Sequence, residues 1–197
     1  MAKERTILAI ESAIRGGSIA LFQNGEIVDT WVGEGGVSRA EDLLWNIDRM
    51  LKINGIAKTS LTQIVVSIGP GSFTGIRIGL ATAMGIATAL NIDLAKYSIL
   101  QAMIASHANS QSLSTAVPVG RGVVCMQTFR MDDSEVAELT GPTAMMEDNF
   151  RREARQNEVI TDEHFARGLA VTLIDATNDP RITRADEPLF IAKPAHI

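Results

Sequence analysis

The first half of the chain alternates short apolar runs with longer stretches of helical periodicity. Three runs, at residues 6–12, 18–23 and 26–32, predict β-strands. The Asn24-Gly25 pair between the second and third runs predicts a type I′ hairpin, because both residues tolerate positive φ. The chain is therefore predicted to begin with a three-stranded antiparallel meander.

Apolar residues at helical spacing follow this meander. They predict a helix over residues 39–54, opened by a capping box of Ser38 and Glu41. The elements predicted next are a strand at 63–68, a helix at 75–90, a strand at 94–97 and a helix from a second capping box, Ser98 with Gln101, to about 107. The order β-β-β-α-β-α-β-α is typical of a mixed sheet with parallel crossovers.

The pattern is weaker in the second half, where it predicts a smaller α+β unit. Residues 109–115 are polar and aperiodic, which predicts a linker between an N-terminal unit (1–108) and a C-terminal unit (109–197). The elements predicted in the second unit are a hairpin at 116–119 and 123–129, a strand at 135–139, a helix at 143–155, weaker strands at 158–161 and 170–174, and a final strand at 189–192.

The most informative motif is Gly-Pro-Gly-Ser-Phe-Thr-Gly at residues 69–75. It predicts a type II turn with positive φ at Gly71, and Ser72 or Thr74 can cap the next helix. Such a turn directs backbone N–H groups to one point, so it predicts an anion or nucleotide loop, to which Glu11 and Ser12 would contribute. The alternative is a turn that serves packing alone, since the P-loop lysine and the third dinucleotide-binding glycine are both missing.

Small residues recur at every fourth position of the helix that follows this motif. Gly75, Gly79, Ala83 and Ala87 would form a groove that lets another backbone approach closely. Two alternatives remain open: the groove faces the chain's own sheet, or it faces a partner.

Composition and charge narrow the class of protein. The net charge of −5 argues against a free-standing nucleic-acid binder, and a single cysteine excludes a disulfide framework. His107, His164 and His196 lack the spacing of a helical metal site. The charged residues 162–164 are interpreted as a solvated turn, and the alternative is that they contribute to a site. With no signal peptide and no run of 18 apolar residues, we expect a cytoplasmic protein that does not enter the membrane.

Residues 6–12, the run at 18–21 and Gly-Pro-Gly-Ser-Phe-Thr-Gly-x-Arg-x-Gly at 69–79 resemble the bacterial TsaB (YeaZ) family. The resemblance covers about residues 6–107 and is carried mainly by the glycine-rich motif. It implies an α/β fold of the actin-like ATPase (ASKHA, ribonuclease-H-like) class, with two α/β subdomains that contain mixed sheets.

The same resemblance implies a function. Members of this family belong to the machinery that makes threonylcarbamoyladenosine beside the anticodon of tRNA. They act as non-catalytic scaffolds with no metal or catalytic residues of their own, and they reach tRNA indirectly through the complex. The partners implied are a TsaD-like catalytic paralogue, a TsaE-like ATPase and a second copy of the chain.

The family dimerises through its first two helices. This implies a partner interface formed by Leu43, Ile47 and Met50 of the first helix together with the small-residue groove. No intrinsic cofactor is implied, and ATP or ADP would bind only weakly or within the complex. The family's Asp-Thr-Ser after the first strand is replaced here by Glu11-Ser12-Ala13. The alternative function is an enzyme of the same superfamily, either an ATP-dependent transferase or a metallopeptidase.

Overall fold

A five-stranded mixed sheet forms the first half of the chain. The structure is a computed structural model that describes residues 5–34, 40–105, 112–132, 134–155 and 158–189. The strands of the first sheet are β1 (Thr6–Glu11), β2 (Ser18–Gln23), β3 (Glu26–Val32), β4 (Gln63–Ser67) and β5 (Asp93–Tyr97). Their order is β3-β2-β1-β4-β5, with antiparallel pairs up to β1 and parallel pairs beyond it. Asn24 and Gly25 have φ values of 53° and 95°, which confirms the predicted hairpin.

The three helices predicted for this half are present. They are α1 (Ala40–Ile53), α2 (Phe73–Leu90) and α3 (Ile99–Ala105). Ser72 caps α2, because its Oγ accepts a hydrogen bond from the Gly75 amide. The capping box predicted at Ser38 lies outside the described residues. The box predicted at Ser98 is not formed, since Ser98 Oγ is buried without a hydrogen-bond partner in the part of the chain described here.

A second sheet forms from the C-terminal half. Its strands are β6 (Leu113–Gly120), β7 (Val123–Met131), β8 (Val136–Glu138), β9 (Thr143–Met146) and β10 (Val159–Thr161). The order is β10-β6-β7-β8, and β9 pairs with the first part of β7. The predicted β6–β7 hairpin is confirmed, whereas residues 113–115, predicted as linker, belong to β6.

Two predictions for the second half are wrong because tertiary contacts decide the structure. Residues 143–146 form strand β9 on the edge of β7, so the predicted helix begins only at Glu147, as α4 (Glu147–Glu153). The predicted strand at 170–174 is helix α5 (Ala170–Asn178), whose apolar side packs on α3 and the first sheet. The final predicted strand lies outside the described residues except for Leu189, whose amide donates to the Ile68 carbonyl.

Helices cover both faces of the first sheet. Leu8 and Ile10 of β1 pack on the side of α1 and α2, whereas Ile7 and Ala9 pack into a larger core with α3, α5 and the second sheet. Alternate burial on both faces is expected for a central strand between two layers. The unit boundary near residue 108 remains a prediction, and α5, from beyond that boundary, packs on β1, β2 and β4.

The small-residue groove of α2 faces the chain's own sheet. A Cβ built on Gly75 would lie 2.2 Å from the Ser12 carbonyl oxygen, and one on Gly79 would lie 2.2 Å from Ser12 Oγ. Ala83 and Ala87 are 0% and 6% exposed. The structure therefore corrects the predicted partner interface, because the residues that would form it are buried inside the chain: Leu43, Ile47, Met50, Gly75, Gly79, Ala83 and Ala87.

Helix α2 is also unusually apolar for a helix at the surface. It is long enough to cross a membrane, with a mean hydropathy of 1.4 over its 18 residues, and 28% of that window is buried in the fold. Since its small residues pack against β1 and β4, this helix is one layer of the α/β structure.

The packing of α2 predicts opposite effects for two glycines of the same helix. Gly75→Ala should lower the free energy of unfolding by about 1–3 kcal/mol, because the new methyl group meets backbone atoms of residues 12 and 13. Gly85→Ala, with open space around the new Cβ, should raise it by up to about 1 kcal/mol. Chemical denaturation measures both. Equal effects of the two substitutions would contradict the packing described for this helix.

Candidate functional site

A crevice lies at the carboxyl end of β1, between the two sheets. On one side is the turn of residues 12–17, named here the β1 turn, and on the other are the β6–β7 turn, α4 and the residues after β10. The cavity has a volume of about 340 Å³. Its charged lining residues are Arg15, Glu147, Arg151, Asp162 and Glu163. Ligands of α/β proteins commonly bind outside the carboxyl ends of the strands, so this crevice is the candidate site.

Glu11 lies at the base of the β1 turn with only 1% of its surface exposed. Its Oε1 accepts hydrogen bonds from the amides of Ala13 at 2.6 Å and Ile14 at 3.1 Å. Burial raises the pKa of the Glu11 carboxyl from 4.5 to about 8; the two amides lower it and the charge of Asp162 raises it. The carboxyl group is therefore mainly protonated at neutral pH, and its oxygen occupies two amides that an anion would otherwise use.

Arg15 connects the two halves across the crevice. Its guanidinium forms an ion pair with Asp162 through Nε and a second with Glu163 through Nη2, at 3.0 Å. Burial raises the pKa of Asp162, while the charge and hydrogen bond of Arg15 oppose that rise. A smaller cavity, of about 80 Å³, has Glu11, Arg15 and Asp162 in its wall.

The glycine turn, residues 69–75, packs on the β1 turn. The amide of Ser72 donates to the Ala13 carbonyl at 2.9 Å, and the amide of Gly75 donates to Ser72 Oγ. The Gly69 amide donates to Ser67 Oγ at 3.1 Å. These three donors of the turn are therefore engaged within the chain, which favours the packing interpretation of the motif over an anion loop.

The predicted positive φ at Gly71 is wrong. The left-handed residue of the turn is Gly69, with φ 95°. Glycine is required at position 71 for another reason, since a Cβ there would lie 2.6 Å from the Cβ of Ala13. The turn thus needs Gly71 for close approach and not for backbone conformation.

Four of the five residues predicted as an anion or nucleotide loop meet around the β1 turn. Glu11 and Ser72 contact its backbone, Gly71 packs on Ala13, and Ser12 Oγ donates to the Gly75 carbonyl at 2.7 Å. The fifth, Thr74, is exposed in the first turn of α2. The sequence therefore predicts where these residues meet. The structure shows that the polar groups of Glu11, Ser12 and Ser72 are bonded to backbone groups of Ala13, Ile14 and Gly75.

Sequence reasoning misses the charged residues that bridge the crevice. It interprets Asp162 and Glu163 as part of a solvated turn, and it gives no role to Arg15. Arg15 and Glu163 are 148 positions apart, so no local pattern connects them. The Gly16-Gly17 pair after Arg15 is a sequence signal for an unusual turn at this position. In the structure Arg15, Gly16 and Gly17 all have positive φ, at 42°, 88° and 87°.

The described residues contain no group of three or more His, Cys, Asp or Glu that could hold a metal ion. Cys125 is fully buried in β7, and burial raises the pKa of its thiol to about 12. It is therefore a core residue, as its apolar neighbours predict. Arg151 pairs with Glu147 on the surface of α4, as the helical spacing predicts.

Comparison with known proteins identifies the family. The family model described as TsaD, tRNA N6-adenosine threonylcarbamoyltransferase, matches residues 37–172. The chain belongs to the TsaD family. This TsaD-family chain is 31% identical over 99 residues to the tRNA threonylcarbamoyladenosine biosynthesis protein TsaB of Haemophilus influenzae, a match that covers 50% of the chain and 41% of that protein. It is 30% identical over 101 residues to TsaB of Bacillus subtilis, covering 51% of the chain and 44% of that protein. The chain thus spans less than half the length of these relatives.

A solved structure supports the fold. YeaZ from Pseudomonas aeruginosa aligns with a TM-score of 0.59 and 22% identity, over 72% of this chain and 68% of that one. The two mixed sheets with their helices therefore form the ASKHA-like α/β fold that the family resemblance implies.

The buried Glu11 predicts a pH dependence of stability. Its pKa is about 8 in the folded chain against the ordinary value of 4.5 expected once the chain unfolds, so the folded chain binds the extra proton between these values. The contribution of Glu11 is fully present below about pH 4.5 and is lost as the pH rises through about 8. We expect Glu11→Gln, which keeps an acceptor for both amides, to remove this part of the slope.

Denaturation at a series of pH values measures the effect. Glu138→Gln, at an exposed position at the end of β8, is the matched control and should keep the wild-type slope. A Glu11→Gln variant whose stability follows the wild-type pH curve would show that the Glu11 carboxyl is not held neutral.

Proposed function

We propose that this chain is a non-catalytic subunit of the machinery that makes threonylcarbamoyladenosine on tRNA, and that it docks on a TsaD-like catalytic paralogue. Family membership over residues 37–172 supports the pathway. The state of Glu11 supports the non-catalytic role, because the carboxyl at the end of β1 is buried and bonded to two amides of its own turn. Catalysis by the Glu11 carboxyl itself would require that group to be accessible.

The observation that carries the docking proposal is the uncovered apolar surface of α1 and α2. Leu44 and Ile53 of α1 are 51% and 67% exposed, and Phe73 and Met84 of α2 are 49% and 55% exposed. Helices α1 and α2 contact each other, and large apolar side chains exposed on adjoining helices mark candidate interaction sites. The corrected interface therefore uses the outer sides of the two helices that the family resemblance singled out.

A groove between the two helices adds shape to this surface. It has a volume of about 190 Å³, and its lining is mainly apolar, with Leu44, Leu51, Ile86 and Leu90 among the residues that form it. Asp48 stands at its edge, paired with Lys52 and Lys58. An apolar centre beside a charged edge is the usual arrangement of a protein–protein interface.

Two arginines lie over aromatic rings on the same helices. The guanidinium of Arg77 lies 3.8 Å from the ring centre of Phe73, and that of Arg49 lies 5.3 Å from Trp45. Arginine and aromatic side chains dominate the binding energy of many interfaces. A second copy of the chain presents the same helices, so self-association about a two-fold axis and binding to the paralogue would compete for one surface.

The proposal also assigns tRNA and a TsaE-like ATPase to the assembled complex. A net charge of −5 gives the isolated chain little electrostatic attraction for tRNA, so tRNA contact is assigned to the assembled complex. A TsaE-like ATPase is proposed to join that complex, and the chain itself is proposed to bind ATP or ADP only weakly or once a partner is present.

Substitution on the outer side of the helices tests the docking proposal. Met84→Asp and Leu44→Asp should weaken self-association and binding to the paralogue by more than tenfold, because a charge replaces apolar contact area; tenfold corresponds to about 1.4 kcal/mol. Leu139→Asp replaces a side chain that is equally exposed, at 49%, near the second sheet, and it is the control. Analytical ultracentrifugation measures the association, and circular dichroism confirms that each variant is folded.

Complementation of a TsaB-depleted bacterium tests the function itself. The unmodified chain and Leu139→Asp should restore threonylcarbamoyladenosine in tRNA, whereas Met84→Asp should not. Rescue by Met84→Asp would show that the function does not require the surface of α1 and α2, and it would contradict the docking proposal. Failure of the unmodified chain would end the proposed function.

The nucleotide proposal has its own test. Calorimetric titration of ATP into the isolated chain should give a Kd weaker than about 1 mM, since the amides after β1 already bind Glu11. Micromolar binding or ATP turnover by the chain alone would favour the alternative of an ATP-dependent enzyme.

A further inference from the structure

Both tryptophans of the chain line one open groove between the end of β3 and helix α1. Trp31 comes from β3 and Trp45 from α1, and the sequence contains no other tryptophan. The groove has a volume of about 450 Å³. It shares no lining residue with the crevice or with the apolar groove between α1 and α2, so it is a separate feature of the surface.

Packed backbone forms the floor of this tryptophan groove. The Gly33 amide donates to the Gly17 carbonyl at 2.8 Å, which ties the end of β3 to the β1 turn. A Cβ on Gly33 would collide with the Gly16 carbonyl and would lie 3.1 Å from the ring of Trp31. Trp31 is half-buried and packs on the core that α1 covers. The floor and one wall of the groove are therefore fixed by the fold.

The charged side chains of the groove are mainly acidic. Glu34 and Asp42 line it, and neither carboxylate forms an ion pair with any residue that the structure describes. Arg49 supplies one positive charge, and its guanidinium lies 5.3 Å from the ring centre of Trp45. Two negative charges therefore face one positive charge, which favours a ligand that brings a further positive charge.

A buried amide group adds a hydrogen-bond acceptor to the same wall. Asn46 is 7% exposed, and its Nδ2 donates to the Asp42 carbonyl at 2.7 Å. Its Oδ1 accepts no hydrogen bond within the described part of the chain, although the side chain lines the groove. Because buried polar groups in proteins are as a rule hydrogen-bonded, this oxygen indicates a donor that enters from the groove.

We propose that the tryptophan groove binds an organic cation through a guanidinium or ammonium head group. Indole rings attract cations over their faces, and Trp45, which is 61% exposed, already holds the guanidinium of Arg49 in this way. Ionised carboxylates and an amide oxygen accept hydrogen bonds, so they fit the N–H donors of such a head group. The proposal rests on this groove alone and does not depend on the proposed function.

Tryptophan fluorescence of the intact chain tests the site, because both reporters lie in the groove. N-acetylarginine amide and N-acetyllysine amide supply the two head groups, and N-acetylcitrulline amide is the neutral counterpart of the first. At constant ionic strength, at least one cation should change the emission along a saturating curve in the millimolar range. The citrulline derivative should bind at least tenfold more weakly. Equal curves for the arginine and citrulline derivatives, or saturation by neither cation, would overturn the proposal.

Removal of the acidic side chains should weaken binding of the cation. The double variant Glu34→Gln and Asp42→Asn keeps the size of both side chains and should raise the Kd at least tenfold. Circular dichroism confirms that the variant is folded. An unchanged Kd in this folded variant would contradict the assigned role of the carboxylates.

Substitution of Arg49 determines the sign of the charge that the groove selects. Arg49→Met removes a like charge beside the bound cation, so the Kd should fall about threefold or more. Arg77→Met is the matched control, since Arg77 lies over Phe73 on α2 and outside the groove, and it should leave the Kd unchanged. Weaker binding by Arg49→Met than by Arg77→Met would show that the groove selects an anion and would overturn the proposal.

Discussion

The close approach of α2 to the β1 turn is the contact on which the rest of the molecule depends. The helix meets the Ser12 carbonyl at Gly75 and the Ser12 side chain at Gly79, and neither position has room for a side chain of its own. This contact fixes the β1 turn against the glycine turn. It thereby places Arg15 in the wall of the crevice and leaves Glu11 buried at the base of the β1 turn. A glycine inside a helix costs about 1 kcal/mol relative to alanine, so the stripe persists because the packing offsets that cost.

How far sequence predicts structure differs between the two halves of this chain. In the first half, strands and helices have strong periodicity and turn residues with definite conformations, such as Asn24-Gly25, and every predicted element is present. In the second half, local preference competes with tertiary pairing. Residues 143–146 join the edge of β7 because that edge is available. The mainly β-branched run at 171–174 is helical because its buried side covers α3 and the first sheet.

The candidate site shows the same division. Glu11 and the glycine motif are recognisable because they lie at the ends of predicted strands, where parallel sheets place functional residues. Arg15 and Glu163 are separated by 148 positions, and only the folded chain brings them together. Periodicity also identifies the small-residue stripe without revealing which surface it meets, since a sheet and a partner helix require the same small side chains.

The return of α5 to the first sheet has a consequence for the order in which the chain acquires its structure. Ile7, Ala9 and Val65, central in the first sheet, share a core with Leu173 and Ile174 of α5, near the other end of the described chain. During synthesis on the ribosome the first sheet is made long before the helix that covers one of its faces. Until the C-terminal half emerges, α5 and the second sheet are not available to bury that face of the first sheet. The two halves therefore complete their folding together. Contacts between residues so distant in sequence slow folding.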